Sequence, residues 1–170
     1  MTQNSSEAPV HGGCQCGAVR YRITGPLRNP HICHCRMCQK AFGSFFAPLV
    51  AAPREAFAVT RGDLAFFMSS DQAERGFCRD CGTPLTFAYV TSDHIAVSIG
   101  SLDEPNAVIP RNQYGTEARV AYFSELPGLP GEETGSDDPN QLAEIAASNH
   151  QHPDHETEHW RPHLGAHAKS

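Results

Sequence analysis

A chain of 170 residues fits one domain with appendages and can bury a core without help from disulfides. Its formal net charge of -6 is uneven: residues 11–131 hold 11 Lys or Arg against 10 Asp or Glu, whereas residues from 132 onward hold 2 against 8. A cysteine-bearing region so near neutrality does not attract phosphate backbones, so nucleic acid is not an expected partner.

Met1 to Val10 are polar and contain no basic segment followed by an apolar run, so residues 1–10 are expected to be a flexible, unprocessed start. No apolar stretch approaches the roughly 20 residues of a membrane span. A soluble, cytoplasmic chain without a membrane partner is expected.

In chain order, short runs rich in β-branched and aromatic residues recur between Gly, Pro and Asp breaks. They are Ala18 to Ile23, Ser44 to Val50, Phe57 to Thr60, Leu64 to Met68, Leu85 to Val90 and His94 to Ile99. The first alternates Arg20 and Arg22 with Val19, Tyr21 and Ile23, which predicts a strand with one face buried and the arginines solvated. Phe42, Phe45, Phe46, Phe66 and Phe67 fall around these runs and are read as core. The chain is therefore mainly β, with a core domain expected over 11–131.

After Leu129 the composition turns to Gly, Glu, Ser, Asp and Pro, which opens an acidic, His-rich extension over 132–170. Asp137 or Asp138 before Pro139 starts a short helix near 139–148. The remainder holds six of the ten histidines and little apolar material, so it is expected to be extended or loosely docked. His150-Gln-His152-Pro-Asp154-His155 matches an HxHxDH metal-hydrolase signature, but it follows a helix where that signature needs a strand and a large αββα scaffold. It is read as coincidence.

The seven cysteines stand in close groups at 14 and 16, at 33, 35 and 38, and at 78 and 81. In a reducing compartment such groups are explained by metal rather than by disulfides. Cys14 and Cys16 before Gly17, and Cys78 and Cys81 before Gly82, suit two opposed knuckles that together grip one tetrahedral Zn²⁺. Cys33-His34-Cys35-Arg36-Met37-Cys38 offers three thiolates to a second Zn²⁺ and leaves its fourth position open. Such a soft site favours a sulfur ligand. Two other readings stand beside this one: a single structural site with three spare thiols, or a closed second centre completed by His31 or His34.

Three stretches resemble the glutathione-dependent formaldehyde-activating family. They are His11-Gly-Gly-Cys14-Gln-Cys16-Gly17-Ala-Val-Arg20-Tyr21, Cys33-His34-Cys35-Arg36-Met37-Cys38-Gln-Lys40 and Phe77-Cys78-Arg-Asp-Cys81-Gly82-Thr83. The resemblance covers about residues 11–131, including Arg119 and Leu126-Pro-Gly-Leu-Pro130. It implies a β-tent, antiparallel sheets leaning together around a structural zinc. It also implies that Cys14, Cys16, Cys78 and Cys81 hold that zinc while Cys33, Cys35 and Cys38 hold a catalytic one. Glutathione and a small aldehyde such as formaldehyde are the implied partners, and carbon–sulfur lyase or synthase chemistry the implied activity. Where family members often show a histidine and then a tryptophan, this chain has Gln113-Tyr114-Gly115 and Ala121-Tyr122-Phe123.

Arg36 and Lys40 would share one helical face beside the cysteines and are candidates for pairing with substrate carboxylates. His34, forced outward by its ligand neighbours, is a candidate proton shuttle. A non-catalytic zinc scaffold for protein interaction is the contrasting function.

Overall fold

The computed structural model describes residues 8–163. The expectation for Met1 to Glu7 lies outside the described residues, and Val10 already belongs to a strand. Ten strands form two sheets. The smaller one has the order β1 (Val10–Gly13), β2 (Arg20–Ile23) and β5 (Phe57–Arg61), all antiparallel. The larger runs β10 (Asn112–Tyr114), β3 (Arg28–Cys33), β4 (Ala47–Pro53), β9 (His94–Ser98), β8 (Pro84–Tyr89), β7 (Ala73–Phe77) and β6 (Ala65–Ser70). The mainly β expectation holds, with one departure from antiparallel pairing: β10 lies parallel to β3.

Between the sheets Tyr21, Ile23, Val50, Leu85, Val97, Ile99 and Leu102 are almost wholly buried together with Cys14, Cys16 and Cys78. Burial of such aliphatic side chains is the main stabilising contribution, about 1.5–3 kcal/mol each. A second, smaller cluster joins Cys38, Ala47, Leu49 and Ala96 on the far side of the seven-stranded sheet. Each cysteine group is thus set into a hydrophobic cluster of its own.

Arg20 departs from the strand alternation. Its side chain is 2% exposed, and its two terminal nitrogens donate to the two carboxylate oxygens of Asp103 at 2.7 and 2.6 Å. Nη2 also donates to Glu156 in the C-terminal segment at 2.9 Å. A bidentate Arg–carboxylate pair is what allows a guanidinium to sit on a face the alternation assigned to solvent.

The phenylalanines divide differently from expectation. Phe42 and Phe46 are half-buried, but Phe45, Phe66 and Phe67 are exposed, the last two with Met68 on β6 at the sheet's free edge. An edge strand has only one neighbour, so aromatic composition predicted the strand but not its burial.

Among the described residues there are also two α-helices, α1 (Arg36–Phe42) and α2 (Pro139–Ala147), and five short 3-10 helices. Asp138 caps α2, accepting from the amides of Asn140 and Gln141, with Pro139 in the first turn. No helix among the described residues is long and apolar enough to cross a membrane.

Because the Arg20–Asp103 pair is sequestered, removing Asp103 leaves the buried guanidinium only the half-exposed Glu156 as a carboxylate partner. Asp103→Asn should lower unfolding stability by about 3 kcal/mol in urea titrations, whereas a loss below about 1 kcal/mol would place the pair among weak surface bridges.

Candidate metal centres and pocket

The first centre is built from two tight turns. Between β1 and β2, the Gly17 amide returns to the Cys14 carbonyl at 3.1 Å and the Val19 amide donates to Cys14 Sγ at 3.2 Å. Between β7 and β8, the Gly82 amide returns to the Cys78 carbonyl at 2.9 Å. Gly17 and Gly82 have φ of 73° and 78°, the left-handed conformation these turns require. The turns bring Cys14, Cys16, Cys78 and Cys81 together with their sulfurs all within 4.8 Å of one another. Cys14 to Cys16 measures 3.6 Å and Cys16 to Cys78 measures 3.8 Å. A tetrahedron with metal–sulfur bonds of about 2.3 Å has edges of about 3.8 Å, so the donor set fits a zinc-sized ion.

Burial pushes the thiols of Cys14, Cys16 and Cys78 up to about 11. For Cys81 burial acts the same way but is outweighed by the Thr83 hydroxyl and the backbone at Cys16, which bring it down to about 6. Metal binding must therefore displace protons from this cluster, and its affinity falls as pH falls.

The C-terminal segment closes over this centre. Trp160 Nε1 donates to the Cys16 carbonyl at 2.7 Å, and the His152 amide donates to the Gln15 carbonyl at 2.7 Å. A Cβ on Gly17 would run into the rings of His152 and Trp160. Arg61 reaches across to Thr157 and to His152 Nε2, while Glu156 meets His11 and Arg20. The tail is therefore docked at residues 151–160, against the expectation of an extended or loose segment. His152 is buried, and His150 instead stacks on His163.

In the second centre β3 delivers Cys33 and α1 delivers Cys38, with Cys35 between them as the helix N-cap. Cys35 Sγ accepts from the Cys38 amide at 3.4 Å. The three sulfurs also lie within 4.8 Å of one another, and neither His31 nor His34 joins the group. Burial raises Cys33 to about 12 and also raises Cys38, which Arg75 opposes. Cys35 is lowered, burial being outweighed by the amides of Cys38 and Met37 and by the neighbouring sulfurs.

These three sulfurs are less buried than the first four, with only Cys38 fully buried. They open on a cavity of about 420 Å³, walled by Met37, Leu49, Ala73, Phe87 and Ala96, with His31, Tyr114, His94 and Ser92 among its polar lining.

The other residues named from sequence stand elsewhere. His34 is fully buried rather than outward-facing: Nε2 is 3.0 Å from Gln113 Oε1 and the ring packs edge-on against Phe46 and Phe123. It points away from its ligand neighbours, but the β10 strand and the aromatic pair occupy that side. Arg36 and Lys40 are exposed on α1, Arg36 bonded to Gln39, and neither lines the cavity. The basic residue that does line it is Arg75, whose Nη2 donates to Cys38 Sγ at 3.5 Å. In sequence it stands 37 residues beyond Cys38, in a charged stretch without a strand-like pattern.

A family model described as glutathione-dependent formaldehyde-activating enzyme matches residues 9–118. That span includes all seven cysteines and stops before Arg119 and the Leu126–Pro130 motif. An uncharacterized lyase of Schizosaccharomyces pombe is 31% identical over 78 residues, covering 46% of this chain and 56% of the relative. The match thus spans little more than half the length of that relative. A crystal structure of a Rhodobacter sphaeroides protein superposes with a TM-score of 0.47 and 25% identity, over 54% of this chain and 86% of the other.

Trp160 is the single tryptophan, so its emission reports on the covered centre. Stripping metal from the wild-type protein should shift that emission to longer wavelength together with loss of the sheet signal in circular dichroism. In Cys35→Ser the emission should stay at the wild-type position; a matching red shift in that variant would mean that the two centres are not separate folding elements.

Proposed function

This chain belongs to the glutathione-dependent formaldehyde-activating enzyme family, and from that premise we propose that it is a zinc-dependent carbon–sulfur lyase or synthase acting on a thiol–aldehyde adduct. Residues 11–131 form the working domain, residues 132–170 are an extension of which 151–160 dock on the structural centre, and a reducing cytoplasm keeps the thiols available. Glutathione is the thiol and formaldehyde or another small aldehyde the acceptor. One observation carries the reading: of two sulfur clusters with the same donor chemistry, one is mostly buried with the C-terminal segment docked on its first turn, and the other faces a cavity of about 420 Å³.

In this reading Cys14, Cys16, Cys78 and Cys81 hold a structural zinc, and Cys33, Cys35 and Cys38 hold a second one. When bound to three thiolates, zinc supplies a Lewis-acidic fourth position that lowers the pKa of an entering thiol. Cys33, Cys35 and Cys38 would hold the ion at the cavity that they line. Met37, Leu49 and Phe87 exclude water around it, so that sulfur and carbonyl meet with little competition from solvent. In the forward step the thiolate sulfur bonds to the carbonyl carbon, the carbonyl π pair moves to oxygen and oxygen takes a proton. The reverse returns thiol and aldehyde, and neither direction needs an oxidant or reductant.

His34 contributes by position. Its contacts with Gln113 and Phe123 brace the backbone between Cys33 and Cys35. The scaffold reading draws on a different feature, the exposed Phe66, Phe67 and Met68 at the β6 edge. It requires no exchange at the second zinc.

Purified protein should contain about two zinc per chain, and Cys35→Ser about one. In exchange NMR with glutathione and a panel of small aldehydes, wild type should accelerate adduct formation and breakdown. Cys35→Ser should lose at least about 100-fold of that rate, the upper end of what losing even a metal's outer partners costs. Equal rates for wild type, variant and buffer, with cobalt-substituted protein showing no spectral change at millimolar glutathione, would leave the scaffold as the better account.

A further inference from the structure

Arg75 lies on β7 opposite Phe87 of β8, and its side chain is among those lining the cavity. Only 7% of it is exposed. Its Cζ stands 4.9 Å from the Phe87 ring centroid and its Nη2 leans on Cys38 Sγ. Nε and Nη1 are shut off from solvent and have no hydrogen-bond partner. The comparison with Arg20 is direct: that guanidinium is as deeply buried but is met by two carboxylates. Glu74, next to Arg75 in sequence, is bonded to Arg54 instead, and no ion pair among the described residues includes Arg75.

Charge and hydrogen bonding make separate demands on such a group. Three thiolates and one Zn²⁺ carry about -1 by counting, which balances the guanidinium's single positive charge. They do not satisfy its donors. Of five N–H groups one meets a sulfur, a weak acceptor, and buried donors left without acceptors are costly. Nη2 shares one edge of the guanidinium with Nε and the other with Nη1. With one Nη2 hydrogen on Cys38, one complete edge is left to meet a planar two-oxygen acceptor.

We propose that Arg75 anchors a substrate carboxylate. The inference rests on the reading of the pocket as a thiol–aldehyde site and narrows it. The carboxylate enters from the cavity that Arg75 lines, and the guanidinium turns to present its free edge. Because Nη2 is 3.5 Å from Cys38 Sγ, an anion held there sits beside the sulfur cluster itself. The carboxylate must then lie within a few bonds of the carbon–sulfur bond being made or broken. Two sources share that chemistry: an aldehyde with a carboxylate on the carbonyl carbon, or a thiol with a carboxylate on the adjoining carbon. Phe87 holds the guanidinium flat by a cation–π contact and keeps the edge aimed at the cavity.

Two matched pairs of probes separate the sources, using cobalt-loaded full-length protein and its thiolate-to-metal absorption. Mercaptoacetate against 2-mercaptoethanol tests the thiol half. Glyoxylate against acetaldehyde, each with glutathione, tests the aldehyde half. In wild type the carboxylate-bearing member of one pair should bind about 10- to 100-fold more tightly than its neutral partner, the range for hydrogen bonds to charged groups. Arg75→Met should erase that preference, and Arg75→Lys, which keeps the charge without the fork, should restore only part of it. A preference unchanged in Arg75→Met, or none for either pair in wild type, would overturn the anchor.

The Arg75 Nε–H resonance gives a readout that needs neither turnover nor a variant that folds. It should move on addition of whichever carboxylate probe is preferred, and not with that probe's neutral partner. If no thiol alters the cobalt spectrum, the lyase reading fails. Movement of that resonance with glyoxylate or mercaptoacetate would then still support the anchor, and a static resonance with both would overturn it.

Discussion

The fold depends on closing one four-sulfur knot. Cys16 and Cys78 are 62 residues apart, yet their sulfurs are 3.8 Å from each other, and the turns that carry them belong to different sheets. Sulfur this close and this buried is stable as a group of neutral thiols or as thiolates around a cation, and a metal ion ties the long intervening loop into a defined structure. Tyr21, Leu85 and Val97 pack around the same point, so the hydrophobic core and the knot support each other.

The contrast between the two clusters shows how surroundings assign different uses to one donor type. At the first, Trp160, His152 and Glu156 bring a distant segment down on the knuckle, with Arg20 and Arg61 as the charged latches. At the second, Cys33 ends β3, Cys35 caps α1 and Cys38 lies within it; Tyr114 and Gly115 return against the backbone of Cys33 to Cys35, and the sulfurs line the cavity. Closed coordination suits a structural role, and an accessible cluster at the floor of an apolar cavity suits chemistry on an incoming ligand. The two buried arginines repeat the contrast, one matched within the protein and the other short of acceptors.

Much of this was legible in advance because it depends on local chemistry. Cys-x-Cys and Cys-x-x-Cys before glycine specify turns whatever surrounds them, and Asp138 before Pro139 specifies a helix start. All six anticipated β runs contain observed strand. The four strands that were missed lack the pattern for identifiable reasons: β1 ends in Gly12 and Gly13, β3 includes Pro30, β7 mixes Glu74, Arg75 and Gly76, and β10 is only three residues long. β3 and β7 are paired on both sides in the sheet, and β1 and β10 on one, and this pairing overrides weak local preference.

The sequence by itself determined the cysteine grouping, the mainly β character, the acidic extension and the family resemblance, because spacing and composition act over a few residues. Only the tertiary structure decided which sulfurs line the larger cavity, that His34 faces the half-buried Phe46 and Phe123, that residues 151–160 dock on the first centre, and that Arg75 reaches the pocket. Each of those facts concerns residues far apart in the chain. Burial and partnership at such distances follow from how sheets stack and where segments return, and no local pattern carries that information.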